Sequence, residues 1–239
     1  MSYFESRLSI KTEDLTKIKQ QLEFCENLGI KNLILEPENN LKKVHADLKR
    51  KINNLTKIKL YYRITLSPSG VNELKQKLKN YNKFVDLLSV ETIDKDTQIY
   101  AAKDSRVDIL SFSDQKILKT LSRGIISLVK QNGSYIEFSL APIMVLNKTV
   151  QSKNFRNLYR SINLVKNLKA NYIISGNFKN IYDFRHPRAL ISLCTSLLEI
   201  PLNEAKKVFK DNPLDLLKRA QRRLDRNILA TGVRIINEE

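Results

Sequence analysis

The chain has 239 residues, 42% of them hydrophobic, which is enough to bury a sizeable core and excludes disorder as its default state. Forty-two Lys and Arg stand against 25 Asp and Glu, a formal charge of +17. Such an excess draws polyanions to the surface, so nucleic acid is the first partner to consider. An anionic membrane comes second, but no basic amphipathic anchor or lipidation motif occurs.

No run approaches the roughly 18 apolar residues of a membrane span, and the opening MSYFESRLSI lacks the apolar core of a signal peptide. In chain order, the first strand is expected over Phe4–Ile10. Thr12 then reads as a helix cap, with Glu13 and Asp14 in the first turn and Leu15, Ile18, Leu22 and Cys25 at helical spacing up to Gly29. The second strand is Asn32–Glu36, followed by a basic helix over Leu41–Leu55. The third is Lys59–Ser67, with its helix over Gly70–Tyr81. Phe84–Glu91 and Val107–Phe112 are the fourth and fifth strands, separated by a short helix. A helix over Gln115–Lys130 leads to the sixth strand, Ser134–Leu140. A further helix over Ser152–Leu168 leads to the seventh, Asn171–Ser175. The last helix is expected over Pro213–Ile228.

Strands alternating with helices predict an α/β fold with a parallel sheet. No linker composition interrupts it, so residues 1–229 read as one domain and 230–239 as a tail. Several strands alternate sharply. Phe4, Leu8 and Ile10 oppose Glu5 and Arg7, Leu60, Tyr62, Ile64 and Leu66 oppose Tyr61, Arg63 and Thr65, and Ile136, Phe138 and Leu140 oppose Tyr135, Glu137 and Ser139. Strands of an open parallel sheet are usually apolar on both faces. A closed barrel, with polar side chains inside and apolar ones toward the helices, explains the alternation better. Whether seven or eight strands close it stays open.

The search for catalytic motifs is mostly empty. Neither a G-x-G-x-x-G nor a G-x-x-x-x-G-K-[ST] loop occurs, nor a G-x-S-x-G elbow. His45 and His186 are the sole histidines, too few for a His-rich metal cluster. Cys25 and Cys194 lie in apolar helical patterns and read as buried free thiols, in keeping with a reducing, cytoplasmic setting. Glu5, Glu91 and Glu137, with Asp108, could meet inside a barrel and hold Mg²⁺ for phosphodiester cleavage. Arg7 and Arg63 share those strand faces and would instead neutralise them as buried ion pairs, which is the favoured reading.

Basic residues suited to phosphate cluster late in the chain. KNFRNLYR sets Lys153, Arg156 and Arg160 at near-helical spacing with Tyr159 beside them. Lys218, Arg219, Arg222, Arg223 and Arg226 cover much of the last helix. Between these lies SGNFKNIYDFRHPRAL, Ser175–Leu190, with Arg185, His186, Pro187 and Arg188 in succession. Proline there starts a helix. Asp183 could pair with Arg185 or cap that helix, and His186 reads as loop filler.

The segment from Tyr172, with its strand ending in ISG, the DFRHPRAL core and EAKKVFKDNPLDLL, resembles the C-terminal signature of the ribonuclease P protein component 3 family. Upstream, VDILSF, SRGIISLVKQNGSYIEFSLAPIM and FRNLYRSINLVKNLKANYIIS are similar to the segments that precede the signature in that family, and the likeness is weakest over the first 60 residues. The resemblance implies a TIM-like βα barrel related to metal-dependent phosphoesterases, but the first strand, YFESRLSI, lacks their histidines. It further implies an RNA-binding subunit of ribonuclease P, which removes the 5′ leader from precursor tRNA, without an active site of its own. Mg²⁺ would serve the RNA. The partners would be the ribonuclease P RNA, precursor tRNA and other protein subunits, especially the small Pop-five-type subunit, with no membrane. Arg185, Pro187 and Arg188 match the signature, which makes the two arginines the first RNA-contact candidates, displayed on the C-terminal rim of the barrel. Arg123, Arg156 and Arg160 match basic positions less closely, with Lys153 beside them. The competing readings are a freestanding metal-dependent phosphoesterase using the barrel carboxylates and a general RNA-binding scaffold.

Overall fold

The computed structural model describes residues 3–38, 44–81, 86–177, 181–222, 228–230 and 233–234. Its first half runs β1 (Phe4–Ile10), α1 (Leu15–Asn27), β2 (Asn32–Pro37), α2 (Ala46–Asn53), β3 (Lys59–Leu66), α3 (Val71–Leu78), β4 (Leu87–Val90) and α4 (Lys95–Lys103). There follow β5 (Ile109–Phe112), α5 (Gln115–Leu118), α6 (Arg123–Asn132), β6 (Tyr135–Ser139), α7 (Lys148–Asn167) and β7 (Tyr172–Ser175). Three helices complete the body: α8 (Pro187–Ser196), α9 (Leu202–Phe209) and α10 (Asp211–Arg222). A short antiparallel pair, β8 (Ile228–Ala230) and β9 (Val233–Arg234), crosses the boundary read at residue 229.

The first seven strands form one parallel sheet in chain order, curled into a TIM-like α/β barrel. Strands β1 and β7 lie side by side without a backbone ladder. Glu5 bridges this seam: its Oε1 accepts from the Gly176 amide at 2.9 Å and from the Arg7 amide at 3.1 Å. Outside the seam, α9 packs on both strands.

Several local expectations are corrected. The cap of α1 is Asp14, which accepts from the Lys17 amide, because Thr12 lies in the preceding turn. The helix expected over Gln115–Lys130 is two, since Ser122 accepts from the Ile125 amide and starts α6 afresh, with Gly124 in its first turn. The basic helix begins at Ala46, and Leu41 falls outside the described residues, as does Phe84 of the fourth strand. The last helix is described to Arg222. Ile228, expected within it, starts a strand; in sequence Thr231 and Gly232 separate two apolar runs, a hairpin signal that the helical pattern hid.

The inside of the barrel is layered. At the strand N-terminal end, hereafter the floor, Phe4, Ile34, Leu87, Ile109, Tyr135 and Ile173 pack with Leu216, Leu217 and Ala220 of α10. That helix lies across the floor, with Asn212 donating to the Tyr172 carbonyl at one side and Arg219 to the Val107 carbonyl at the other. This overturns the expectation of a uniformly polar interior, because an end covered by a helix must present apolar side chains to it. Phe4 was expected on the face of Leu8 and Ile10. A bulge between Glu5 and Leu8 shifts the register, so Phe4 joins the floor while Leu8 and Ile10 face the helices.

Candidate nucleic-acid interface

Above the floor the interior is ionic. Arg63, fully buried on β3, reaches across to Glu137 on β6 with paired bonds of 2.9 and 2.8 Å, and also donates to Ser89 at 2.8 Å. Arg7 meets Glu36 at 2.6 Å and Glu91 at 2.9 Å. Ser111 and Ser113 donate to Glu91 as well. Burial alone would raise the Glu137 pKa, but Arg63 and then Arg7 outweigh it and hold the group at about 2. Glu5 lacks such a partner; burial, opposed by the Gly176 and Arg7 amides, pushes it up to about 7.

A divalent cation does not fit this set. Glu36, Glu91 and Glu137 each already face a guanidinium, and Asp108 accepts from the Leu88 amide instead of joining them. Among the described residues no trio of His, Cys, Asp and Glu could hold a metal ion. Cys25 and Cys194 are buried and free, and burial pushes both thiols up to about 12, which removes them as nucleophiles. Glu36 was missed in the sequence; its register two residues past the inward Ile34 was the available signal.

The described later part of the signature loop, residues 181–186, is not on the rim. The loop leaves the rim at Gly176, but Phe184 packs edge-on against Phe24 in the last turns of α1, rings 6.3 Å apart. A Cβ added at Gly29, in the α1–β2 turn, would lie 3.8 Å from His186 Nε2. Since α1 descends from rim to floor, Arg185 and its neighbours sit toward the floor end. The connection between β7 and α8 is eleven residues, 176–186, long enough to span the barrel wall, so the rule that a loop after a strand lies on the rim does not hold for its far end. Arg185 bonds neither to Asp183 nor through its loop to a carboxylate: its Nη1 donates to the carbonyls of Tyr182 at 2.6 Å and Phe184 at 2.8 Å. His186 is no loop filler but the cap of α8, its Nδ1 accepting from the Arg188 amide at 3.1 Å, with Pro187 at the first helical position as expected. Arg185 and Arg188 are both exposed.

Lys153, Arg156 and Arg160 form an exposed stripe on α7, opposite the buried Asn154, Leu158, Ile162 and Val165. Tyr159 is not available beside them: it is half-buried, its ring stacks on Phe155 and its hydroxyl donates to Glu199. Arg123 is exposed at the first position of α6. Among the described residues none of these four cations makes an ion pair. The structure thus joins the α7 stripe, sets Arg123 apart and puts the signature arginines against the end of α1. Among the described residues no helix is long and apolar enough to cross a membrane.

Comparison with known proteins adds identity to this geometry. A family model described as RNase P subunit p30 matches residues 3–225. No curated protein matches the sequence. A chain in the cryo-EM structure of archaeal Ribonuclease P with mature tRNA is similar at TM-score 0.79 and 17% identity, covering 99% of each chain. A putative prolidase from Bifidobacterium longum is similar at 0.64 and 8% identity, covering 92% of this chain and 70% of that one. The A. niger ochratoxinase follows at 0.58 and 7%, covering 90% and 71%. At these identities the solved structures bear on the fold.

Proposed function

We propose, from the premise that this chain belongs to the RNase P subunit p30 family, that it is a ribonuclease P protein subunit whose own barrel carries out no chemistry. The observation that carries the second part is the interior lattice, in which Arg7 and Arg63 engage the carboxylates that a metal-dependent phosphoesterase would need. Catalysis, removal of the 5′ leader from precursor tRNA, then belongs to the RNA and its Mg²⁺, and this protein binds no cofactor. Its contribution is electrostatic: lysines and arginines screen phosphate repulsion as RNA segments approach one another. The similarity to a chain of an archaeal assembly with mature tRNA supports ribonuclease P RNA and precursor tRNA as partners. Other protein subunits, the small Pop-five-type subunit among them, and a cytoplasmic setting complete the reading.

Arg185 and Arg188 are the first contacts, with Arg123, Lys153, Arg156 and Arg160 as a second set. The test is reconstitution: the chain, its partner subunits and the cognate RNA are combined and leader removal is followed across a Mg²⁺ series. Arg185→Ala and Arg188→Ala are each expected to lower cleavage at limiting Mg²⁺ by roughly tenfold, the scale of one charge-assisted bond. Unchanged activity over the whole series would remove both arginines from the interface. Turnover of a phosphodiester by the purified chain with Mn²⁺, lost in Glu137→Ala, would overturn the reading itself.

A further inference from the structure

The surface charge is divided between the two ends of the barrel, and the helices explain half of the division. Helices α1 to α7 start at the rim, where Asp14, Asp94 and Asp114 cap them and Asp47, Glu73 and Asp96 occupy first turns. Apart from the single-turn α5 they end at the floor, where, except in α1, basic last turns complement the helix dipole; Lys103 and Lys130 are of this kind. Lys31, Lys57, Lys59 and Lys169 are not. They stand outside the helices, in the αβ turns and strand starts, and all four are exposed. Among the described carboxylates of this end, Asp86 is engaged by Lys49, Asp104 by Arg106, Asp211 by Lys210 and Asp215 by Lys218, while Glu26 accepts from Thr56 and the Lys57 amide and lies close enough to Lys57 and Lys31 for both to lower its pKa. Dipole compensation therefore leaves a surplus of cations at the floor and a near balance at the rim.

Lys169 carries a second mark. Three helices end in the same turn, in which a left-handed residue donates three residues back and its successor five back. Gly29 (φ +72°) closes α1 and Gly133 (φ +66°) closes α6, as that conformation favours. At the end of α7 the position is Lys169, φ 54°, a conformation that lysine adopts at a cost. Lysine at this position, like Asn177 and Glu199 elsewhere, accepts a backbone conformation that glycine would hold without strain.

We propose that the floor end, ringed by Lys31, Lys57, Lys59, Lys103, Lys130 and Lys169, is a phosphate-binding surface for double-stranded RNA. The inference rests on the ribonuclease P reading and specifies which kind of RNA that subunit holds, and with which end. A duplex, not a single strand, is the occupant because, among the described residues, the tyrosines of the strand starts and αβ turns that accompany these lysines are not free to stack; the exposed Tyr182 stands apart from them, in the signature loop beside Arg185. Tyr3, Tyr81, Tyr135 and Tyr172 at the same end are buried, and Tyr61 is half-buried with Lys59 Nζ 5.6 Å over its ring. Single-strand grooves need exposed aromatics, whereas backbone contacts to a duplex need cations alone. The signature loop, drawn down beside Gly29, adds Arg185 and Arg188 to the flank of this surface.

The test uses the full chain and a 16-base-pair RNA duplex of arbitrary sequence, with affinity measured over a salt series. Each lost phosphate contact removes about one from the slope of log affinity against log salt. Lys31→Gln, Lys57→Gln and Lys169→Gln together are expected to flatten the slope by about three. The matched rim triple, Lys95→Gln, Lys116→Gln and Lys148→Gln, should leave affinity within about twofold, since the rim is near balance. Lys169→Gly should raise Tm while weakening the duplex complex about fivefold, the size of one lysine–phosphate contact. Equal losses in floor and rim triples, or an unchanged floor triple, overturn the proposal. Reconstituted leader removal by the unaltered chain keeps the two questions apart: if it proceeds while duplex binding ignores the floor, the surface assignment fails and the subunit role stands.

Discussion

Arg63→Met is expected to cost about 3–5 kcal/mol of stability at pH 7, the scale for breaking a buried ion pair by removing one partner. That is a large share of the roughly 5–15 kcal/mol that holds a domain folded. Arg63 is fully buried, spans the barrel from β3 to β6, and satisfies Glu137 with two bonds while also meeting Glu36 at 3.2 Å. Without it, Glu137 keeps Arg7, 3.8 Å away, and the Ser175 hydroxyl against full desolvation. The carboxylate then takes up a proton more readily, so the deficit should shrink between pH 7 and pH 5. In the unaltered protein Glu137 behaves oppositely. Its depressed pKa contributes stability that is complete above the unfolded value of 4.5 and is lost as pH falls toward about 2. Adding Glu137→Leu to Arg63→Met should recover much of the loss, because an apolar pair needs no counter-charge. Denaturant unfolding at both pH values decides it. A single variant within 1 kcal/mol of the parent at pH 7, on the roughly 1 kcal/mol scale of ordinary substitutions, would remove the lattice from the account of stability.

Glu5→Gln is expected to stabilise the protein above neutral pH by about 1–3 kcal/mol. Here the folded-state pKa is raised, from 4.5 to about 7, by burial. Between those values the unfolded chain has released its proton and the folded chain still holds it. Stability attributable to Glu5 therefore falls as pH rises through this window, by about 3 kcal/mol at most, and is level above it. Glutamine keeps a carbonyl oxygen to accept from the Gly176 and Arg7 amides, so the seam between β1 and β7 stays bridged without a charge to desolvate. The measurement is the difference in unfolding free energy between the two proteins at pH 5, 6 and 8. Parallel curves would mean that Glu5 ionises in the folded state as readily as in water.

Periodicity carried the fold. Alternation in the third and sixth strands, with Arg63 and Glu137 each on the polar face, is the local imprint of a closed barrel, and both residues face inward as that pattern requires. It failed at Phe4 because one bulged residue reverses facing and leaves no mark in the sequence. The split of Gln115–Lys130 was signalled by Ser122, a good cap hidden inside an apolar pattern. The candidate site was less readable. That Arg185, Pro187 and Arg188 form one unit could be read from their order, but the descent of their loop depends on Phe24 and Gly29, some 160 residues away, and chain spacing does not carry such a contact. His186 escaped as a cap because imidazole is an uncommon cap, so residue type gave no cue.

The helix across the floor also sets a schedule for synthesis. All seven barrel strands precede α10 in the chain, yet Leu216, Leu217 and Ala220 are what cover their lower apolar layer. A nascent chain that has reached β7 therefore holds a sheet whose floor is still wet. Ordinary N-to-C emergence leaves that sticky surface exposed until the residues after β7 through Ala220, about forty-five of them, clear the ribosome tunnel, a window in which chaperones or the chain's own neighbours compete for it. Ribosome-stalled chains ending before α10 should accordingly be cut by protease at sites that longer stalled chains protect, and equal protection of both would mean that the barrel closes without its stopper.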